Sequence, residues 1–454
     1  MGEIISEKQR GKPGYEGYLN DRVAHLPMLL KNGGYRTYMS GKWHLGDKKE
    51  HRPYSRGFEE TFTLLPGGGS HFADKRELSP PGVMVYSRNG EVVENLPEDF
   101  YSTRNYTDYL LEWLERDKNQ NKPFFAYLSY TAPHDPLHAP VEYIEKYKGK
   151  YDEGYNALRE KRLESLKKLG IYDENTAMYP VGGMPTWDQL SDEQKKESAR
   201  DMEVYAAMID YMDSQISRVF DWLDKNKQMD NTLIIFFSDN GANGAMPTAY
   251  PGQTDEFLNS FNNELENRGL TGSYIEQGPG WATASMSPLR LFKAFTSEGG
   301  ILSPCIIKLP GTSAPKGKML NTFSHVSEIM PTLLDVAAID HPSISNKEIP
   351  EMFGKSLLPL LKGERSEIDQ NKGIGYELHG LCAYIKGDWK ILKLPKPFGK
   401  GDWELFNLKE DPAEANDLST KNRAKLEELI SAWEDYSENV GIVYDPIDMS
   451  IVNK

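Results

Sequence analysis

Three apolar runs in this chain each break off into a polar cluster, and that repetition constrains the fold more than any other feature. "YRTYM" (35–39) runs into "SGKWHLG", "FFAYLSY" (124–130) into "TAPHDPLHAP", and "LIIFFS" (233–238) into "DNGANG". Helical patterns separate them. "DRVAHLPMLLKNGG" predicts a helix over 21–32 and "YSTRNYTDYLLEWLERDK" one over 102–118. A long helix is predicted from Ser191, whose hydroxyl pairs with Gln194 as a capping box. Met202, Tyr205, Ile209, Met212, Ile216, Val219 and Leu223 give that helix one apolar face. Apolar strands alternating with helices predict an α/β fold, a large mostly parallel mixed sheet between helices, in which 124–130 and 233–238 are buried inner strands. From about Tyr376 the texture changes to short strands and a closing helix, "KNRAKLEELISAWEDYSEN". The chain is therefore divided into 1–370 and a small antiparallel-sheet subdomain over 371–454.

Ligands of open α/β sheets bind beyond the carboxyl ends of the strands. The pattern thus places Lys42, His44, His134, Asp239 and Asn240 on one rim. Each has an ordinary reading alone: packing beside Trp43, a solvated lysine, a histidine in a proline-rigid loop, an Asp-Asn-Gly turn. Together they suggest chemistry. Asp239 and Asn240 offer hard oxygens suited to Ca2+ or Mg2+, although two are too few for either. The lysines and histidines suit an anion, with an imidazole near its ordinary pKa of ~6.5 free to exchange a proton. A formal net charge of -15 without a basic stripe excludes nucleic acid and anionic membrane surfaces as partners. No apolar run approaches the roughly 20 residues that span a bilayer, and the first residues do not read as a signal peptide, so the chain as given reads as soluble and cytoplasmic, with the compartment left open to a secretory signal on a segment before it. Two cysteines, Cys305 and Cys382, form no disulfide framework.

"GYRTYMSGKWHLG", "YTAPHDPLHAP", "FFSDNGANG", "LFKAFTSEGGILSPCIIKLPG" and "SHVSEIMPTLLDVAAI" resemble, in order, the signature blocks of type I sulfatases. "GKPGYEGYLNDRV" and "RGFEETFTLLPGG" resemble the arylsulfatase branch. The resemblance implies an alkaline-phosphatase-like sandwich and arylsulfatase-type hydrolysis of small-molecule or glycan sulfate esters. It implies one Ca2+, in preference to Mg2+, on Asp239 and Asn240. Lys42 matches the lysine that bridges sulfate and nucleophile, and Lys293 the second sulfate-binding lysine. His44 matches the histidine that assists turnover of the covalent intermediate, and His134 the one that contacts sulfate and protonates the leaving oxygen. The loop "LLPGGGSHFADKRE" and the segment 245–285 are expected to wall the pocket, with His71 and His138 as substrate-lining residues.

One block is missing. The family attacks sulfur with formylglycine, made by a maturation enzyme from the Cys or Ser of CxPxR or SxPxR. Neither occurs here: Cys305 precedes "IIK", Cys382 precedes "AYI", and "MSPLR" puts Met286 in the nucleophile position. The family's opening strand, with its paired aspartates, is absent as well. The expectation is that Met1 is an internal methionine of a longer sulfatase, and that this chain alone is inactive and leaves an inner sheet edge unpaired. Two other readings stay open: a phosphonate or phosphodiester hydrolase of the same superfamily, and an inactive sulfatase-like binding protein.

Overall fold

The computed structural model describes residues 7–445 except 83, 181, 183, 247–248, 251, 312–316, 345, 347 and 368–372. The expected division at 370/371 falls outside the described residues.

Strand β1 (Arg36–Lys42) lies inside a five-stranded sheet, parallel to β2 (Glu60–Leu64) on one side and to β5 (Phe124–Ser129) on the other. β3 (Tyr86–Arg88) and β4 (Glu91–Val93) add antiparallel strands beyond β2, giving the order β4-β3-β2-β1-β5. Successive side chains of a strand face opposite ways, so β1 feeds two cores. Tyr38 packs with Phe62, Tyr106, Leu110 and Trp113, which seats the helix Ser102–Asp117 on one face. Met39 packs with Trp43, Phe58 and Leu65 on the other. Each such buried side chain contributes roughly 1.5–3 kcal/mol of transfer free energy. Because the three central strands are parallel, Lys42 and Ser129 finish at the same end, and the Ser129 hydroxyl donates to the Lys42 carbonyl at 2.8 Å. Gly41 allows this approach. Its φ is +130°, and a Cβ there would lie 2.0 Å from the Ser129 carbonyl oxygen.

The first helix is shorter than the sequence pattern predicts, running Leu26–Asn32 instead of 21–32. Pro27 explains the difference, since a proline is accommodated only in the first helical turn. The long helix Asp192–Lys225 starts at Ser191 with the predicted capping box, Gln194 N–H to Ser191 Oγ at 3.2 Å and Ser191 N–H to Gln194 Oε1 at 2.9 Å. Its buried face differs from the predicted stripe. Met202 and Leu223 are buried, but Ile209 is 40% exposed, and Val204, Ala207 and Met208 instead pack against Ala132, Leu137, Ala139 and Ile275. That cluster braces the loop carrying His134.

Two further strands depart from expectation. β6 (Ile234–Phe237) pairs only with β7 (Cys305–Lys308), as an antiparallel ribbon, and β5 ends its sheet. Neither is a buried inner strand: Tyr127 of β5 is 43% exposed, Phe236 of β6 40% and Ile306 of β7 64%. An apolar run records which side chains a strand carries, not whether both of its edges are paired. Among the described residues, nothing pairs with the outer edge of β5 or of β6.

β8 (Ile374–Leu378), β9 (Leu381–Lys386), β10 (Trp389–Lys393) and β11 (Glu404–Asn407) form a separate antiparallel sheet in the order β11-β10-β9-β8. Leu426, Leu429 and Trp433 of the helix Arg423–Val440 cover one face. The other face docks through Leu381, Ala383, Leu392 and Phe406 onto Phe292 and Phe295. Beside that contact Lys390, fully buried, bridges Glu298 at 2.7 Å and Glu414 at 2.8 Å.

Candidate active site

Lys42 ends β1 and is largely enclosed. Burial and the charge of Lys293 push its ammonium below the ordinary lysine range, while Asp239 and Asp135 pull it back up. The chain then turns at His44, a non-glycine residue held at φ +55°, whose N–H donates to the Leu65 carbonyl at 3.1 Å. His44 is exposed by surface area, yet its surroundings withhold enough solvation, together with the charges of Lys42, His134 and Lys293, to push it down to about 4. The imidazole is therefore neutral near pH 7 and can accept a proton.

His134 sits on the loop after β5. Its Nδ1 lies 2.8 Å from the Asp135 carbonyl and 3.4 Å from the Asp135 carboxylate, and its Nε2 lies 3.0 Å from Lys293 Nζ. An ammonium can only donate, so Nε2 accepts and the ring proton is on Nδ1. Burial pushes this histidine down, Asp135 pushes it up, and Lys293 and Lys42 push it down again. Lys293 reaches the site because its N–H donates to the Ala242 carbonyl at 3.0 Å, which ties its loop to the one that follows β6. Lys42, His44, His134 and Lys293 thus converge from three chain segments.

Asp239 and Asn240 stand at the end of β6, close enough that Asp239 acts on both Lys42 and Tyr127. Asn240 uses its amide N–H on the Gly241 carbonyl at 2.9 Å, which leaves the side-chain oxygen to bind. Two hard oxygens side by side fit Ca2+ or Mg2+ in kind and supply two of the six to eight that Ca2+ takes. Among the described residues, no group of three His, Cys, Asp or Glu converges as a metal site.

His71 and His138 do not line a pocket. Both are 1% exposed. His71 Nε2 donates to the His134 carbonyl at 3.1 Å and its Nδ1 pairs with Ser102 Oγ at 2.7 Å. His138 Nδ1 accepts the His71 N–H at 3.3 Å, and its Nε2 donates to the Ser273 carbonyl at 3.0 Å. Burial holds them neutral, at about 3 and about 4. They lie beneath the His134 loop, where a histidine in a glycine-rich segment reads from sequence as exposed.

The glycines beside them belong to the site. A Cβ on Gly67 would lie 2.8 Å from His44 Cε1, and one on Gly68 would lie 3.4 Å from His134 Nδ1. Sequence reading marked this loop as a wall but not these two positions. It also passed over Asp135 and Asn243, inside motifs already quoted, because a buried carboxylate and its amide partner carry no periodic signal. None of the sulfur atoms of Met286, Cys305 and Cys382 is set up as a nucleophile. Met286 Sδ accepts the Ala242 N–H; the buried Cys382 thiol is pushed up to about 12, and that of Cys305, which is exposed at the start of β7, is raised by partial loss of solvation.

Two ammonium groups and two imidazoles thus gather beyond the carboxyl ends of β1 and β5, a set of groups whose chemistry suits a tetrahedral oxyanion. Comparison with known proteins gives the family. The sequence model described as Sulfatase matches residues 6–339, and the chain belongs to that family. It is 43% identical to an uncharacterised sulfatase of Schizosaccharomyces pombe, over 98% of this chain and 82% of that one. It is 40% identical to an arylsulfatase of Klebsiella aerogenes, over 76% of this chain and 75% of the other. Among solved structures, Ps i-CgsB superposes with a TM-score of 0.63 at 23% identity, covering 92% of this chain and 76% of that chain.

Proposed function

We propose that this chain carries the sulfuryl-binding and proton-handling groups of an arylsulfatase-type hydrolase, for the reaction R–O–SO3⁻ + H2O → R–OH + HSO4⁻. The observation that carries the reading is the convergence of Lys42, Lys293 and His134, with the Lys293 ammonium 3.0 Å from His134 Nε2. Lys42 and Lys293 bind the sulfuryl oxygens; each loses repulsion from the other as the anion enters, so the cost of holding two buried cations together is offset. The entering anion also replaces the positive field that depresses His134. Its Nε2 then takes up a proton and gives it to the leaving oxygen, while Nδ1–H stays on the Asp135 carbonyl. His44, neutral, takes a proton on the water side of the reaction.

Asp239 and Asn240 would hold Ca2+, which when bound supplies positive charge against the sulfuryl oxygens. Formylglycine, the group implied by the resemblance, would supply the attacking oxygen. No CxPxR or SxPxR occurs in the 454 residues, and the two thiols are held away from their reactive form, so the attacking group is expected from a segment outside them, after action of a formylglycine-generating enzyme.

The test is binding without turnover. The purified chain, titrated calorimetrically with sulfate and with 4-nitrophenyl sulfate, is expected to bind both and to release no nitrophenol, with or without Ca2+. Lys42→Met and Lys293→Met are each expected to weaken sulfate binding by about tenfold or more, the scale of one lost charge-assisted contact. Absence of any sulfate binding would refute the anion grip. Nitrophenol release that disappears in His134→Ala would refute the outside origin of the nucleophile. Faster hydrolysis of an aryl phosphonate than an aryl sulfate by a nucleophile-bearing form would favour the phosphonate hydrolase instead.

A further inference from the structure

The geometry points to Asn243 as a positioning residue for proton transfer at His134: its amide group fixes the Asp135 carboxylate against the imidazole. This inference rests on the role proposed for His134 and extends it to a residue that touches neither sulfate nor His134.

Asn243 follows the Asp239-Asn240-Gly241 turn, and its backbone carbonyl is tied down by Gln277 Nε2 at 2.9 Å. The side-chain NH2 has two protons and makes two hydrogen bonds, one to Asp135 Oδ1 and one to the Tyr250 hydroxyl at 2.9 Å. The same Oδ1 faces His134 Nδ1 at 3.4 Å. One amide therefore decides where the carboxylate sits relative to the ring. Asp135 is 2% exposed, and its other oxygen, Oδ2, is buried with no hydrogen-bond partner among the described residues. Tyr250 also acts on this carboxylate, but its hydroxyl is itself held by the Asn243 amide, so removal of Asn243 loosens both groups and lets the carboxylate turn from the histidine.

The charges around the pair make this matter. Burial alone would drive the Asp135 carboxyl to its neutral form; His134, Lys293, Tyr250 and Asn243 together hold it below the usual carboxylate range. The neighbouring Glu276 carboxyl is raised by burial, Asp135 and Asp201, which favours its neutral form and leaves the negative charge on Asp135. His134 in turn feels Asp135 as the one carboxylate favouring its charged form, against Lys293 and Lys42. An Asp135 that rotates away or takes up a proton no longer supports the imidazolium, and His134 then cannot arrive at the leaving oxygen with a proton to give.

The experiment is an NMR titration of the His134 imidazole in the isotopically labelled full-length chain, which needs no turnover. Asn243→Ala is expected to move the His134 midpoint down by about one pH unit, the usual scale for losing one neighbouring charge. Asn243→Ser, which keeps one donor, is expected to move it about half as far and serves also if the alanine variant does not fold. The His138 signal, which depends on burial and the Ser273 carbonyl, is the control for a loop that has simply loosened, and is expected not to move. The decisive arm is the double variant. In an Asp135→Asn background, Asn243→Ala is expected to produce no further shift, because Asn243 acts through that carboxylate. An unshifted midpoint in both single variants, or an undiminished shift in the Asp135→Asn background, would overturn the proposal. Sulfate added to the parent separates this from the larger reading: no response of the His134 signal refutes the anion grip and leaves the Asn243 comparison standing.

Discussion

Two imidazoles sealed beneath the His134 loop make acid the natural way to open this site, and the size of the effect follows from their positions. The folded-state values of His71 and His138, about 3 and about 4, both lie below the ordinary 6.5. The unfolded chain therefore binds protons that the folded chain refuses. Stability is full above the unfolded value and is lost as pH falls below it, continuing until the folded groups themselves titrate. At about pH 5 each histidine accounts for about 2 kcal/mol, and the pair for about 4 kcal/mol. His138→Gln isolates one of them. Glutamine keeps an acceptor for the His71 N–H and a donor for the Ser273 carbonyl, so the hydrogen bonds persist while the titration disappears. Urea unfolding followed by tryptophan fluorescence at about pH 7 and about pH 5 is expected to show the variant losing about 2 kcal/mol less than the parent over that interval. Equal losses in the two proteins, or a parent insensitive to acid, would show that these histidines are not held neutral by burial.

Two further outcomes are expected. Gly67→Ala should push the His44 ring toward solvent, since the new methyl would lie 2.8 Å from Cε1; the His44 NMR midpoint should rise from about 4 toward 6.5 with His71 unmoved, and an unchanged His44 would show that the loop yields instead. Lys390→Met should destabilise the chain by about 3–5 kcal/mol by leaving Glu298 and Glu414 buried together, and Glu414→Gln added to it should recover part of that loss, both read by thermal unfolding.

Strand ends were the legible part of this molecule. Polar clusters after apolar runs marked Lys42, His134, Asp239 and Asn240 as one group; parallel pairing of β1 with β5 brings the first two to the same end of the sheet, while Asp239, after the separate ribbon of β6 and β7, lies within electrostatic reach of Lys42. Lys293 came only from the family resemblance, since its position depends on a loop tied to Ala242 and not on any repeat. What stayed hidden were relations between segments: the Gly67 backbone under His44, the amide of Asn243 on Asp135, and the depth of His71 and His138. Burial of a polar side chain depends on what packs over it from distant sequence, and a single chain pattern carries no trace of that. The same limit explains β5 and β6, whose aromatic and aliphatic residues read as interior although, among the described residues, no strand pairs with their outer edges.

Among the described residues those two edges are unpaired, and Tyr127 of β5 lies within electrostatic reach of Asp239, which follows β6 and belongs to the proposed anion site. Bare strand edges recruit strands from other chains. A copy that docks by this route would crowd the rim where sulfate has to enter, so self-association and ligand capture compete for one opening. Concentrated stocks should then lose sulfate-binding capacity in step with the growth of oligomers, and saturating sulfate should slow that growth.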